Sequence, residues 1–193
     1  MSAAIEQLFD NRITVDDFMT FIEHPLANDK SFELIDGYVT MMASPSPNHQ
    51  RISGYIARKI GNYLEGKSCE VFQDLDLLLF EIDSQKCENV FRPDIMIVCD
   101  DSKITERGYE GIPDLVIEIV SKSTGRYDYS VKCKAYMKYG VKEYWIVDSL
   151  VNQILVYVYN DNIIRRYTFD DKIMIRLLNN LTIDFAEISA IIK

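Results

Sequence analysis

Two apolar runs, each holding one carboxylate, decide how this chain reads: Arg92-Pro93-Asp94-Ile95-Met96-Ile97-Val98 and Asp114-Leu115-Val116-Ile117-Glu118-Ile119-Val120-Ser121. Short runs rich in β-branched residues and bounded by turn formers read as buried strands. Strand side chains alternate, so Asp114, Val116, Glu118 and Val120 share one face. Glu118 is then a mid-strand carboxylate between two valines. An ionised group there is costly unless something pairs with it. Two such carboxylates on neighbouring strands suggest a shared cation, and a divalent metal with oxygen ligands is the natural candidate.

The next stretch, Tyr127-Asp128-Tyr129-Ser130-Val131-Lys132-Cys133-Lys134-Ala135-Tyr136-Met137-Lys138-Tyr139, reads as a helix stopped by Gly140. Asp128, Lys132, Ala135, Tyr136 and Tyr139 fall on one side of it, and Lys134 and Lys138 fall outside that stripe. Of the three lysines, Lys132 can turn toward the sheet. The competing reading is an i, i+4 pair of Asp128 and Lys132 on a solvated face, worth a few tenths of a kcal/mol.

At 193 residues the chain is long enough for one domain with a sizeable core, and 48% hydrophobic and 26% charged residues are ordinary for a globular protein. No apolar run approaches the ~20 residues a membrane span needs. The opening Met1-Ser2-Ala3-Ala4-Ile5-Glu6 lacks the basic-then-apolar pattern of a signal peptide. Cys69, Cys87, Cys99 and Cys133 are scattered without a Cys-x-x-Cys pair. The expectation is no zinc site, no disulfide framework, and a cytoplasmic protein.

A net charge of −9 argues against indiscriminate nucleic-acid binding. The charge is uneven, however. Between Ile119 and Lys142, six basic residues (Lys122, Arg126, Lys132, Lys134, Lys138 and Lys142) stand against Asp128 alone. This surplus lies beside the carboxylate strands, where a phosphate backbone would approach. A solvated basic helix face is the plainer alternative.

Taken in order, Thr14-Val15-Asp16-Asp17 opens a short helix with Thr14 as N-cap, ending near His24-Pro25. Phe32 to Met42 reads as a hairpin turning at Asp36-Gly37. After Ser44-Pro45-Ser46-Pro47, a long helix from about Asn48 to Glu65 carries an inward stripe of His49, Ile52, Ser53, Ile56, Ile60, Tyr63 and Leu64. On its own, His49 reads as a packing histidine. Glu70 to Ile82 is expected as one strand, Asp83 to Asn89 as a polar turn, and Asp100 to Ile112 as a long loop. Lys142 to Asp148 is another strand. Gln153 to Leu178 looks like a β-meander, and Asp184 to Ile192 like a terminal helix.

The core order is therefore helix, three strands, helix, strand, with an aspartate on the second strand and a glutamate on the third. This pattern resembles the PD-(D/E)XK nuclease superfamily and, more narrowly, the Uma family of stand-alone domains labelled restriction endonucleases. The segments that carry the resemblance are Phe32-Glu33-Leu34-Ile35-Asp36-Gly37, Ser46-Pro47-Asn48-His49, Arg92-Pro93-Asp94, Pro113 to Ser121, and Lys132 through Gly140-Val141-Lys142-Glu143-Tyr144-Trp145. It implies a restriction-endonuclease-like α/β (α+β) fold: a mixed central sheet flanked by helices, with an N-terminal hairpin and a C-terminal β-meander. One domain over residues 1–193 is expected, its core at about 30–150 and its β extension at about 151–193. In the standard motif a lysine stands two residues after the glutamate; here Val120 holds that position. The family is similar in drawing its lysine from the following helix, where Lys132 fits.

The resemblance implies a Mg²⁺-dependent (or Mn²⁺-dependent) DNA endonuclease, with Asp94, Glu118 and Lys132 as catalytic residues. Asp94, Glu118 and the Ile119 carbonyl would hold the metal. Glu33 and His49 extend the site, Glu33 as a further carboxylate near the metal and His49 as a contact to phosphate or to the metal shell. For Glu33 the alternative is an edge-strand surface charge. A nuclease cutting both strands favours a homodimer. Two other functions stay open. One is a nuclease-fold module that binds DNA or a protein without turnover. The other is a metal-dependent hydrolase of a small phosphorylated molecule.

Overall fold

The computed structural model describes residues 11–27, 30–80, 87–122, 124–179 and 181–192. They fall into two compact units. The first takes the described residues up to Ser44, with Leu75–Arg92 and Lys103–Gly111; the second takes Pro45–Asp74, Pro93–Ser102 and the chain from Ile112 onward.

The first unit begins with α1 (Val15–Ile22). Its start is fixed by a capping box. Thr14 Oγ1 accepts from the Asp17 amide at 3.1 Å and Asp17 Oδ2 accepts from the Thr14 amide at 3.3 Å. Val15, Phe18 and Phe21 form its buried face and pack with Phe32, Leu34, Val39, Leu78 and Val90. The strands are β1 (Ser31–Ile35), β2 (Tyr38–Met42), β4 (Leu77–Phe80), β5 (Cys87–Phe91), β7 (Ile104–Thr105) and β8 (Gly108–Tyr109). They form one sheet in the order β2-β1-β5-β4-β8-β7. The β1–β2 turn has positive φ at both Asp36 (51°) and Gly37 (83°), the backbone that a two-residue hairpin of matching twist requires.

The second unit carries α2 (Pro47–Leu64), with Ser46 as N-cap and Pro47 in the first turn. Its sheet runs β12-β11-β10-β9-β6-β3. Here β3 is Glu70–Phe72, β6 Ile95–Val98, β9 Leu115–Ile119, β10 Glu143–Asp148, β11 Gln153–Val158 and β12 Ile163–Tyr167. Only the β9–β10 pairing is parallel; the described neighbours otherwise run antiparallel. A parallel pair needs a crossover. It is supplied by a π-helical segment (Tyr127–Lys132) that continues into α3 (Cys133–Tyr139) and ends at Gly140 with φ 88°. Ile52, Ile56, Ile60 and Leu64 of α2 pack against Ile95, Ile97, Leu115, Ile117 and Ile119 on one sheet face. β13 (Lys172–Met174), β14 (Thr182–Asp184) and α4 (Phe185–Ser189) contribute Ile173, Ile183, Phe185 and Ile188 to the same core. The opposite face receives Tyr136 of α3, whose ring lies 4.9 Å from that of Tyr144 on β10. Helices thus cover both faces of a mixed sheet; of the meander expected over Gln153 to Leu178, β11 and β12 pair as expected, whereas β13 pairs with β14 in a separate two-stranded sheet.

Several local expectations are corrected. The strand expected over Glu70 to Ile82 is two strands, β3 and β4, in different sheets. They part at Gln73-Asp74, where Asp74 takes φ 52°, which no strand tolerates; Ile82 lies outside the described residues. Of the turn expected over Asp83 to Asn89, residues 83–86 lie outside the described residues and Cys87–Asn89 are strand. The long loop contains the small β7–β8 ladder, paired to β4 at Leu77–Tyr109. The C-terminal helix is shorter than expected, Phe185–Ser189, with Asp184 as its N-cap and Ala190 as its C-cap. Cys69 and Cys99 form a disulfide, against the expectation of none. Their 30-residue separation hid the reason: the β3–β6 register, Glu70 opposite Val98, continues to set the two cysteines face to face.

Candidate active site

Asp94 immediately precedes β6, and Glu118 lies on the neighbouring strand β9. β6 and β9 are adjacent, and their ladder begins at Ile95 opposite Ile117, the residues next to Asp94 and Glu118. The Val120 amide donates to the Val147 carbonyl on β10 at 2.9 Å. Alternation therefore turns the Ile119 amide and carbonyl toward the Pro93-Asp94 end of β6. Proline has no N–H to give, and its carbonyl accepts from the Asp74 amide at 3.2 Å. The Asp94 side chain fills the gap: Oδ2 accepts from the Ile119 amide at 2.6 Å.

The other oxygen of Asp94 faces His49. Nε2 of His49 lies 3.2 Å from Asp94 Oδ1, and the two side chains are 11% and 16% exposed. Burial pulls the imidazole pKa down. The hydrogen bond and charge of Asp94, the charge of Asp74 and the Ile119 carbonyl outweigh it, and the net shift is upward from 6.5. His49 is placed for this by the first turn of α2, where its own amide is held by Ser46 Oγ at 3.2 Å. It is a partner of the aspartate, more than a packing histidine.

Glu118 is buried on the α3 face. Its Oε1 accepts from Lys132 Nζ at 3.0 Å and from the Tyr136 hydroxyl at 2.9 Å. The Lys132 side chain is 1% exposed, and its ammonium also stands 3.8 Å from Asp128 Oδ1. The solvated Asp128–Lys132 pair is therefore ruled out: both members are buried, and the cation reaches across to the strand. Both residues lie in the π-helical turn and both are buried there. The Tyr144 hydroxyl donates to the Asp128 carbonyl at 3.0 Å and secures that turn on the sheet. Tyr136 is the residue that the sequence left unassigned. Its signal was present, one helical turn beyond Lys132 on the same stripe.

The remaining basic residues divide. Lys122, Arg126, Lys134 and Lys138 are exposed, whereas Lys142 holds Asp114 at 2.5 Å. Glu33 belongs to the first unit. It is buried and not a surface charge, and its Oε1 accepts from the Arg92 amide at 2.8 Å. Among the described residues no group of three or more His, Cys, Asp or Glu side chains is gathered for a metal ion. The hard oxygens in line for one are the carboxylates of Asp94 and Glu118 and the Ile119 carbonyl.

A family model, Uma2, described as "Putative restriction endonuclease", matches residues 16–186. The chain belongs to the Uma2 family. Two proteins of Synechocystis resemble this Uma2 chain: the uncharacterized protein slr1290, 28% identical over 75% of this chain and 76% of its own, and the uncharacterized protein sll1609, 27% identical over 66% and 71%. Among solved structures, the fold matches a "putative nuclease belonging to DUF820" from Anabaena variabilis with a TM-score of 0.74, covering 92% of this chain and 98% of that one at 19% identity. That match shows a shared fold. The family description is that of a nuclease, and the Uma2 match takes in Asp94, Glu118 and Lys132 together with Glu33 and His49. Among the described residues no helix is long and apolar enough to cross a membrane.

Proposed function

We propose that this chain is a metal-dependent DNA endonuclease that hydrolyses phosphodiester bonds with Asp94, Glu118 and Lys132. The observation that carries the reading is Lys132 itself: a lysine from the crossover helix, buried against the strand glutamate, on the strand next to the one that Asp94 precedes. It stands in for the lysine that Val120 replaces on the strand. The donor set suits Mg²⁺ or Mn²⁺. Mg²⁺ takes hard oxygens, needs only one or two carboxylates and keeps several waters. Asp94, Glu118 and the Ile119 carbonyl would hold it. When bound, it supplies a Lewis acid for the phosphoryl oxygen and lowers the pKa of a coordinated water.

The chain's own residues do the rest. Tyr136 and Lys132 fix the Glu118 carboxylate by two donors to one oxygen. The Lys132 ammonium stabilises negative charge on the reacting phosphoryl group and orients the attacking water. The Ile119 amide fixes Asp94. His49, held toward its protonated form, offers a cation to a neighbouring phosphate. The exposed Lys122, Arg126, Lys134 and Lys138 give the backbone of DNA a basic approach in an otherwise acidic chain. Action on both strands calls for a homodimer. A cytoplasmic enzyme fits this substrate.

The test is plasmid nicking with and without Mg²⁺, run beside Glu118→Ala. Metal-dependent nicking by the wild type alone is expected. A second reading is favoured by one observation: Lys132 is committed to Glu118 and shielded from solvent. A nuclease-fold module that binds DNA without turnover would look this way. Measurable DNA binding with no cleavage in any divalent metal selects it.

A further inference from the structure

The C-terminal extension contains a groove that the nuclease reading does not use. It encloses about 530 Å³ between β12 and the β13 segment. That lies within the ~300–1,000 Å³ of small-ligand pockets. Val156 and Val158 line it from β11, and Arg165 and Tyr167 from β12. Val156 opposes Arg165 and Ile154 opposes Tyr167 in the ladder, so the arginine and the tyrosine stand on one sheet face. Lys172, Met174, Arg176 and Asn179 line the other wall.

Three cations converge on this groove in a chain of net charge −9. Two already hold a carboxylate: Lys172 to Asp184 at 2.7 Å and Arg176 to Asp161 at 2.9 Å. Arg165 makes no ion pair among the described residues, although aspartates flank the same groove. Its charge is offered outward. A guanidinium in this position matches a phosphate or carboxylate oxygen pair. Met174 and the Tyr167 ring, over a floor of the buried Val156 and Val158, present a surface for a flat, apolar body. The Asn179 amide both donates and accepts.

We propose that this groove binds a nucleotide unit, with the phosphate on Arg165 and the base against Tyr167 and the valines. The chemistry is the same for a free nucleoside monophosphate and for one nucleotide of a single strand. The site lies on the outer strands of the sheet, on the α2 face, whereas Glu118 and Lys132 meet on the other.

The experiment is calorimetric titration, without divalent metal, of AMP, adenosine and a short single-stranded oligonucleotide into the full chain. Arg165→Ala, Arg165→Lys and Arg166→Ala are compared after thermal melts show them folded. Arg166 is the neighbour on the opposite strand face and serves as control. Saturable AMP binding is expected, weakened about tenfold by Arg165→Ala, the loss of one charge-assisted hydrogen bond. Arg165→Lys should retain part of the affinity, and Arg166→Ala all of it. Binding of the oligonucleotide alone, with the same Arg165 dependence, assigns the site to a strand. The proposal is overturned if neither probe binds, if adenosine binds as tightly as AMP, or if Arg165→Ala and Arg166→Ala behave alike.

Discussion

Replacing Lys132 by Met tests the centre of the site without relying on activity. The substitution keeps most of the stem's volume and removes the ammonium 3.0 Å from Glu118 Oε1. With side-chain exposures of 1% and 4%, the pair is beyond the reach of solvent screening. Removing one partner of a buried pair leaves an uncompensated charge and costs about 3–5 kcal/mol. The Tyr136 hydroxyl remains on the same oxygen of Glu118, but the buried Asp128 loses the cation as well, so the loss should fall within that range, at least about 3 kcal/mol. A solvated i, i+4 pair would cost only about 0.3–0.5 kcal/mol. Urea unfolding can be followed through Trp145, the single tryptophan, buried on β10 beside β9. Adding Glu118→Gln should restore part of the loss, since one of the two buried carboxylates beside the ammonium is then neutral while Asp128 remains. A Lys132→Met protein within about 1 kcal/mol of wild type, or one that the second substitution makes still worse, would refute the buried-pair account.

The other expectations follow from the same contacts. Lys132→Ala should abolish cleavage while leaving DNA affinity and its salt slope nearly unchanged; Lys138→Ala should lower that slope by about one unit and spare turnover at saturating DNA. Because the His49 pKa is raised above 6.5, its pairing contributes stability that is complete below that value and fades as pH rises through the raised one. The stability gap between wild type and His49→Gln should therefore narrow with rising pH, and an NMR titration of the ring should shift down in Asp94→Asn. Reducing the Cys69–Cys99 bond, which closes a loop of 30 residues, should lower stability by about 3–4 kcal/mol in denaturation with and without dithiothreitol. Gly108→Ala should destabilise by more than about 1 kcal/mol in the same assay. Its backbone sits at φ 130°, and an added Cβ would meet the Asp76 carbonyl oxygen at 2.2 Å.

Much of this was legible because the informative contacts are periodic. Alternation put Glu118 on a face with Val116, and helical spacing put Lys132 and Tyr136 on a stripe with Tyr139. Thr14 with Asp17, and Asp36 with Gly37, announce their turns by local chemistry alone. The features that escaped depend on register between distant strands. Nothing near Cys69 indicates that Cys99 stands opposite it, and nothing in Glu70 to Ile82 marks Asp74 as the point where one sheet ends and another begins. The π-helical turn was hidden too, since its residues are as compatible with an ordinary helix. Glu33 was visible as a candidate, but not its burial or its bond to the Arg92 amide.

The Pro93-Asp94 pair has a bearing on how this site should be interrogated. The Pro93 carbonyl is taken by the Asp74 amide, and the neighbouring Asp94 carboxylate accepts from the Ile119 amide. One side chain thus closes the sheet at this edge as well as carrying charge. Alanine at position 94 would strip both at once, stranding the Ile119 amide in a buried setting at about 1–3 kcal/mol. An inactive alanine protein would then say as much about a loosened strand end as about chemistry. Asparagine keeps an oxygen for that amide and discards only the charge, so it is the substitution whose silence can be read.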